Sequence, residues 1–337
     1  MTARATYQSS AVQQLLRDVA DAVNARDAVM ICGEISTGRE TVARVIHAAT
    51  ADRAGARSID DLLADKTVRS AALDGFVAVD CAATNNVEEV IFGRAAAGPD
   101  GLEAITAEAA LQRARGGTLF LRSVEETPAR IQARLARVLR DREVWVVDGE
   151  AAGRFAVSAR IIASMSATAP GDILVPELRR RLGSRRIDCP AVRERRDDLE
   201  AIIGQRFAEA TAARALAKTL SAEALSLLCA LPWRGNFAEV HAVVESVITA
   251  TGAEPVVTVP DLLRHIRFAE TDVHIAPSFT LKEARARFER EYVASVLRTH
   301  RGRMSAAASA LGMRRTNLYR KVRQLAVNIS QPLAELS

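Results

Sequence analysis

The sequence is short of the features that mark secreted and membrane-bound proteins. Its 337 residues hold four cysteines, Cys32, Cys81, Cys189 and Cys229, with no metal-type spacing among them. That excludes a disulfide scaffold and a zinc cluster and fits a reducing cytoplasm. No stretch approaches the roughly 18 unbroken apolar residues of a membrane span, so no membrane partner is expected. The opening MTARATYQSS lacks the apolar core of a secretory signal. Aromatic residues make up 4% of the chain, too few for a single-strand binder built on stacking. Lysine is scarce as well: four of the 46 bases are Lys. Arginine excess therefore follows the composition of the whole chain and carries little weight alone. What is abundant is apolar surface, 49% hydrophobic against 26% charged residues, enough to bury a sizeable core. At about 100–200 residues per domain the length predicts two or three domains.

Charge is unevenly placed. Residues 279–325 hold 12 Lys and Arg against three Glu, a local charge of +9, and the rest of the chain carries 34 bases against 38 acids. A basic block on a mildly acidic body is the electrostatic footprint of a nucleic-acid module, or else a solvated basic face. Ahead of it, the run VMICGE at 29–34 followed by a helical pattern over Thr41–Ala49 reads as strand, loop and helix. Further apolar runs at Phe76–Asp80, Thr118–Leu121 and Ala159–Ala163 read as buried strands, with Pro128–Asp141 as an intervening helix. Apolar strands alternating with helices predict a parallel sheet covered on both faces. After Pro170 no further strand is expected, and 197–251 reads as helices broken at Leu231-Pro-Trp-Arg-Gly235. Glu254–Pro260 and Glu270–Ser278 read as a loop and a linker, and helical pattern resumes from Phe279 to Val327.

In the C-terminal block, RMSAAASALGMRRTNLYRKV (303–322) predicts an alanine-rich helix to Leu311, a turn at Gly312 and a second helix from Arg314 or Arg315. Ala306, Ala307 and Ala310 permit close helix approach, and Leu311, Leu318 and Val322 supply core. This is helix-turn-helix patterning, whose second helix enters the major groove. Arg303, Arg314, Arg315, Thr316, Asn317 and Arg320 are the candidate contacts, with Lys321 and Arg323 suited to phosphates. Arg can pair bidentately with guanine and Asn with adenine. Nearer the start, Gly33-Glu-Ile-Ser-Thr-Gly-Arg-Glu40 lies where a strand passes into a helix, the context of a phosphate-binding loop. Gly33, Glu34, Thr37, Gly38, Arg39 and Glu40 are the candidate nucleotide contacts, although Arg39 replaces the usual Lys and Glu40 the usual Ser or Thr. His47 and His241 have no partner spacing for a metal and read as packing or surface residues, and Cys81 as a small core residue.

Around that loop the chain resembles one family, the AAA+ module of sigma-54-dependent enhancer-binding activators, whose loop usually runs GESGTGKE. Further matches are Val42-Ala-Arg-Val-Ile-His47, Phe76–Ala83, Ile91-Phe-Gly93, Gly116–Leu121, Ile131–Arg142, Arg193-Glu-Arg195 with Asp198, and Trp233-x-Gly-Asn236. The tail resembles a Fis-type helix-turn-helix, whose preceding helix dimerises. The resemblance implies an α/β AAA+ subdomain at 1–170 with helices on both faces of a parallel sheet. An α-helical lid at 171–268, a linker at 269–278 and an all-α helix-turn-helix domain at 279–330 are implied to follow. No receiver domain is seen ahead of the module. Double-stranded DNA and further copies of the chain are the implied partners, as a dimer through the tail or a higher oligomer through the AAA+ module.

Several of the family's chemical groups are replaced. The acidic pair that serves magnesium and water in ATP hydrolysis aligns with Arg122 and Ser123. The sensor I position falls on Met165 or Ser166, and the sensor II arginine on Ala238. Of two arginines inserted into a neighbour's site, the first aligns with Val175 and the second with Arg181. The GAFTGA loop that contacts sigma-54 is replaced by Arg94–Asp100. The expectation is a DNA-binding transcriptional regulator whose AAA+ module is a pseudo-ATPase, with no metal. Arg39 leaves ATP or ADP binding without hydrolysis open. An ATP-dependent sigma-54 activator, or a non-catalytic subunit that assembles with a competent homologue, are the alternatives.

Overall fold

The computed structural model describes residues 7–52, 57–70, 72–94, 98–148, 151–252 and 254–265. In the C-terminal segment it describes residues 293, 297, 304, 307, 308, 311, 313 and 315–324. The chain divides into two compact units, Met1–Ile266 and Arg267–Ser337.

Helix α1 (Ser10–Ala25) is capped by Ser9, whose Oγ accepts from Val12 N at 3.4 Å and donates to Asp198 Oδ2 at 2.5 Å. Strand β1 (Val29–Gly33) is buried at every residue and passes through the Gly33–Gly38 loop into α2 (Arg39–Ala51). Short helices α3 (Ile59–Ala64) and α4 (Lys66–Ser70) lead to β2 (Phe76–Asp80). Next come α5 (Val87–Phe92), β3 (Ala104–Thr106), α6 (Ala110–Arg113) and β4 (Thr118–Arg122). Helix α7 (Ala129–Asp141), strands β5 (Glu143–Asp148) and β6 (Ala151–Ala156), β7 (Arg160–Ser166), α8 (Pro176–Leu182) and β8 (Arg186–Cys189) complete the α/β layer.

The principal sheet has the order β2-β4-β7-β1-β8, and every pairing in it is parallel. Strand side chains alternate between faces, and β1 divides accordingly. Val29 and Ile31 join the core made with α1, α2 and α3, whereas Met30 and Cys32 join the core made with α7 and α8. Two covered faces explain why these strands read as unbroken apolar runs. Two expectations need correction. Strands do not end at Pro170, because β8 pairs with β1, so the α/β layer runs past 170. Strand β8 escaped notice because Arg186 and Asp188 are exposed while Ile187 and Cys189 are buried, the alternation of a strand at the sheet edge. A three-stranded sheet, β3-β5-β6, was also unforeseen, as was a two-stranded one pairing Thr219–Leu220 with Val256–Val257, inside the Glu254–Pro260 segment read as a loop.

The lid consists of α9 (Leu199–Ala212), β9 (Thr219–Leu220), α10 (Ala222–Ala230), α11 (Asn236–Ala250), β10 (Val256–Val257) and α12 (Val259–His265). Its helices close around Trp233, fully buried, whose Nε1 donates to Leu228 O at 2.9 Å. The break read at Leu231–Gly235 is therefore a core anchor between two helices. No helix among the described residues is long and apolar enough to cross a membrane.

In the second unit, α13 (Arg315–Gln324) contributes Leu318 and Val322 to a core shared with Val293, Leu297, Met304, Ala307 and Ala308. Leu311 and Met313 pack against it. Ahead of α13, Leu311 N donates to Ala307 O and Met313 N to Ala308 O, each at 3.0 Å. Ala306 and Ala310 lie outside the described residues, as do the whole 269–278 linker and most of the 279–330 segment.

Candidate functional site

The phosphate-loop residues sit where β1 ends and α2 begins. Ser36 (φ 61) and Gly38 (φ 96) take left-handed backbone, which turns the loop over the helix N-terminus. A Cβ at Gly33 would lie 2.7 Å from Thr37 Oγ1 and 2.9 Å from Cys189 Cβ, so this first glycine is required by close approach. Thr37 is buried, its hydroxyl donating to Glu34 O at 2.9 Å. The loop is also bonded to the lid. Phe237 N donates to Ser36 O at 3.1 Å, Asn236 Nδ2 to Ile35 O at 3.0 Å, and Arg195 Nη2 to Thr37 O at 3.1 Å. Arg193 Nη1 reaches Glu34 Oε2 at 2.8 Å and Asn236 Nδ2 reaches the same oxygen at 3.1 Å. Arg193's hydrogen bond, aided by Asn236 and opposed by burial, lowers the Glu34 carboxyl to about 2.

At the far end of the loop the charges are shared among arginines. The parallel register pairs Asp80 of β2 with Arg122 of β4. Arg122 Nη1 donates to Asp80 Oδ2 at 2.9 Å, and its Nη2 is ion-paired with Glu40 in the first turn of α2. Arg44 holds the other oxygen of Glu40 at 3.0 Å. Burial opposes the charge on Arg122, but the attraction of Glu40 and Asp80 outweighs it and raises the guanidinium pKa. Arg39 is different: burial lowers its pKa against the pull of Glu125, and its Nη1 is buried with no hydrogen-bond partner. Glu125, itself 8% exposed, accepts from Ser166 N at 2.7 Å through Oε1 while its Oε2 is buried without a partner. An isolated buried charge is costly, so Arg39 and Glu125 offset each other across this end of the sheet.

The remaining positions are plain. Ser123 (φ 54) donates its N–H to Ser164 Oγ at 3.3 Å. Met165 packs on the core, Ser166 bonds Thr168 at 2.9 Å, and Ala238 is exposed on α11. Val175 caps α8, its N–H held by Gln132 Oε1 at 2.7 Å. Arg181 is bound to Glu177 of its own helix at 2.7 Å, not to the loop. Arg94 pairs with Glu89 at 2.5 Å at the start of the segment that follows Phe92-Gly93, of which residues 95–97 lie outside the described set. His47 is a buried packing residue, Nδ1 on Thr118 Oγ1 and Nε2 on Asp74 O, both 3.0 Å, with burial lowering its pKa. Cys81 is buried, and burial pushes its thiol up to about 12. Among the described residues no cluster of three or more His, Cys, Asp or Glu could hold a metal ion.

On α13, Thr316, Asn317 and Arg320 are exposed and Lys321 is half-buried, opposite the buried Leu318 and Val322. Arg315 opens the helix and Arg323 lies within it, but their side chains are outside the described set, as are Arg303 and Arg314 altogether. An exposed polar face on a helix whose other face is core is the surface a groove-reading helix presents.

Sequence comparison places these features in one frame. Residues 5–188 match the sigma-54 interaction domain, 193–276 the AAA+ ATPase lid domain and 284–325 the Fis family of bacterial regulatory proteins. The chain belongs to the sigma-54-dependent regulator family. Within it, the chain is 29% identical over 325 residues to the transcriptional regulatory protein ZraR of Escherichia coli K12, covering 94% of this chain and 67% of that protein. It is 28% identical to the nitrogen assimilation regulatory protein NtrX of Azorhizobium caulinodans, over 95% of this chain and 68% of that one. The crystal structure of NtrX from Brucella abortus in complex with ADP superposes with a TM-score of 0.59 at 28% identity, spanning 95% of this chain and 68% of that one. As a member of the family, the chain carries a DNA-binding Fis-type helix-turn-helix.

What sequence reading missed is the connection between residues. Arg193 and Asn236 were noticed as family matches, and only the folded chain shows both on Glu34. Glu125 went unnoticed, and no periodicity marks it. Asp80 and Arg122 did leave a signal, since each is the one charge ending an apolar strand of equal length.

Proposed function

We propose that this member of the family regulates transcription by sequence-specific binding to double-stranded DNA, and that its AAA+ module neither hydrolyses ATP nor contacts sigma-54 through the usual loop. The observation that carries the reading is the Arg122 guanidinium. By the family resemblance Arg122 stands where hydrolysis needs a magnesium ligand, and in the fold it is ion-paired with Asp80 and Glu40. Ser123, beside it, has no carboxylate to orient water. Magnesium does not fit residues arranged in this way. Arg39 keeps a cation in the loop, so ATP or ADP binding without turnover is compatible with the reading. The module then contributes by folding and assembly, and the tail by pairing two recognition helices on DNA.

The test is steady-state hydrolysis by the purified full chain with ATP and MgCl2, in the presence and absence of DNA. No turnover above background is expected, and turnover near about one per second, within the ordinary enzyme range, would overturn the reading. A pull-down of sigma-54 with a nucleotide transition-state mimic should likewise yield no complex. A mimic-dependent complex would assign that contact to Arg94–Asp100.

A further inference from the structure

The family's chemistry implies a divalent cation beside the loop, and the residues at that place disagree with it most sharply at the end of β4. Arg122 divides its guanidinium between Asp80 on β2 and Glu40 on α2, and Arg44 takes the second oxygen of Glu40. Two bases and two acids thus cancel within one cluster. Magnesium requires near-octahedral oxygen ligands at about 2.0–2.1 Å, and a guanidinium has five N–H donors and no acceptor to offer. It also keeps its charge at every pH a folded protein meets. The same fork ties three elements together, because Asp80 ends β2, Arg122 ends β4 and Glu40 opens α2.

We propose that Arg122 is a resident counter-ion in place of the divalent metal: Glu40 and Asp80 form a latent carboxylate pair that the chain itself keeps closed, so the loop is held without metal. This rests on the reading of the module as a pseudo-ATPase and adds to it the identity of the cation. Removing the guanidinium releases Glu40 Oε2 and Asp80 Oδ2, one oxygen from each of two adjacent elements, to take a divalent ion. Arg44 remains on Glu40, so Asp80 is the oxygen donor that decides affinity.

The experiment is titration of the full chain with MnCl2 alone, reading free Mn2+ by electron paramagnetic resonance, with thermal unfolding in EDTA and in MgCl2 run in parallel. Wild type is expected to bind no Mn2+ that Asp80→Asn removes, and to melt at the same temperature in EDTA and MgCl2. Arg122→Ala should melt lower in EDTA, recover in MgCl2, and bind Mn2+ about tenfold tighter or more, as expected on removing a unit charge within about 4 Å of the ion. Adding Asp80→Asn to Arg122→Ala should abolish the gain. Arg122→Lys keeps the charge and should stay insensitive to metal. The proposal is overturned if wild type binds Mn2+ in an Asp80-dependent way, if Arg122→Lys gains the metal, or if a folded Arg122→Ala gains none. Should Arg122→Ala not fold, wild type, Asp80→Asn and Arg122→Lys still decide it. Absence of hydrolysis together with a metal-responsive wild type would refute this inference alone, whereas hydrolysis would refute the pseudo-ATPase reading.

Discussion

At Asn236 the backbone takes φ 54, a left-handed conformation that Asn tolerates better than most residues, and the side chain is 1% exposed. Its Oδ1 accepts from Val192 N at 2.9 Å while Nδ2 donates to Ile35 O and Glu34. Asn236→Ala removes these bonds and strains the backbone, so a loss of about 1–3 kcal/mol is expected from unsatisfied buried groups. Asn236→Gly relieves the strain but not the lost bonds, and should fall between the two in urea denaturation. If Asn236→Gly matches wild type, the side-chain bonds contribute nothing. Glu34 offers a test in pH. Its carboxyl titrates at about 2 when folded, against 4.5 ordinarily, because Arg193 bonds the charged form. A lowered carboxyl stabilises fully above its unfolded value, and that contribution is lost as pH falls through the folded value. Glu34→Gln should therefore reduce the fall in unfolding free energy between pH 4.5 and 2. It should not abolish the fall, since Thr67 and Arg57 likewise hold Asp65 at about 2. An unchanged acid limb in denaturation at stepped pH would show that Arg193 is not coupled to Glu34.

Among the elements, α13 has the most direct consequence for function. Its buried Leu318 and Val322 set the helix phase, which leaves Thr316, Asn317 and Arg320 exposed. Asn317→Ala is expected to relax preference at one base position, costing about 1–3 kcal/mol if its contact is bidentate. Lys321→Ala should instead weaken binding to all duplexes and shallow the salt dependence by about one charge. Fluorescence anisotropy of the full chain on specific and scrambled duplexes at two salt concentrations separates these effects. Equal losses on both duplexes for both variants would mean that Asn317 touches phosphate, not base. Strand β4 shows the complementary case. Its first four residues are buried on a sheet covered from both sides, while Arg122 at its end is half-exposed and bound to charges on two neighbours. An apolar strand supplies rigidity, and the polar residue at its carboxyl end supplies the chemistry of the site.

For the whole molecule, the loop is held from the lid side by Arg193, Arg195 and Asn236 and from the sheet side by Arg122, all of them groups of the chain itself. On the pseudo-ATPase reading proposed above, introducing the family's groups should act in steps. In the full chain, Arg122→Asp, Ser123→Glu and Arg39→Lys together are expected to create magnesium-dependent affinity for ADP, read by calorimetry, before any hydrolysis. On the family resemblance Val175 and Ala238 stand where arginines stabilise transferred phosphate, and one such arginine is worth about 10³–10⁵ in rate where it acts. Full turnover by the triple variant would show that those two positions are dispensable.

Sequence alone determined the parts that depend on local pattern. Apolar runs marked β1, β4 and β7 because a strand covered on both faces has no polar side to show, and the edge strand β2 was marked by its apolar residues although only Val79 is buried in it. The loop at Gly33–Glu40 and the helix-turn-helix at 303–322 were legible because each requires particular residues at short spacing. Strand β8 was not, since exposed Arg186 and Asp188 interrupt its buried residues within four positions. The pairings that define the site were decided by tertiary structure. Asp80 and Arg122 lie 42 residues apart and Arg193 and Glu34 are 159 apart. Sheet register and the seating of the lid bring them together, and no periodicity along the chain encodes either. The residue types singled out Arg122 at the end of its strand; only the fold joined its guanidinium to Asp80 and Glu40.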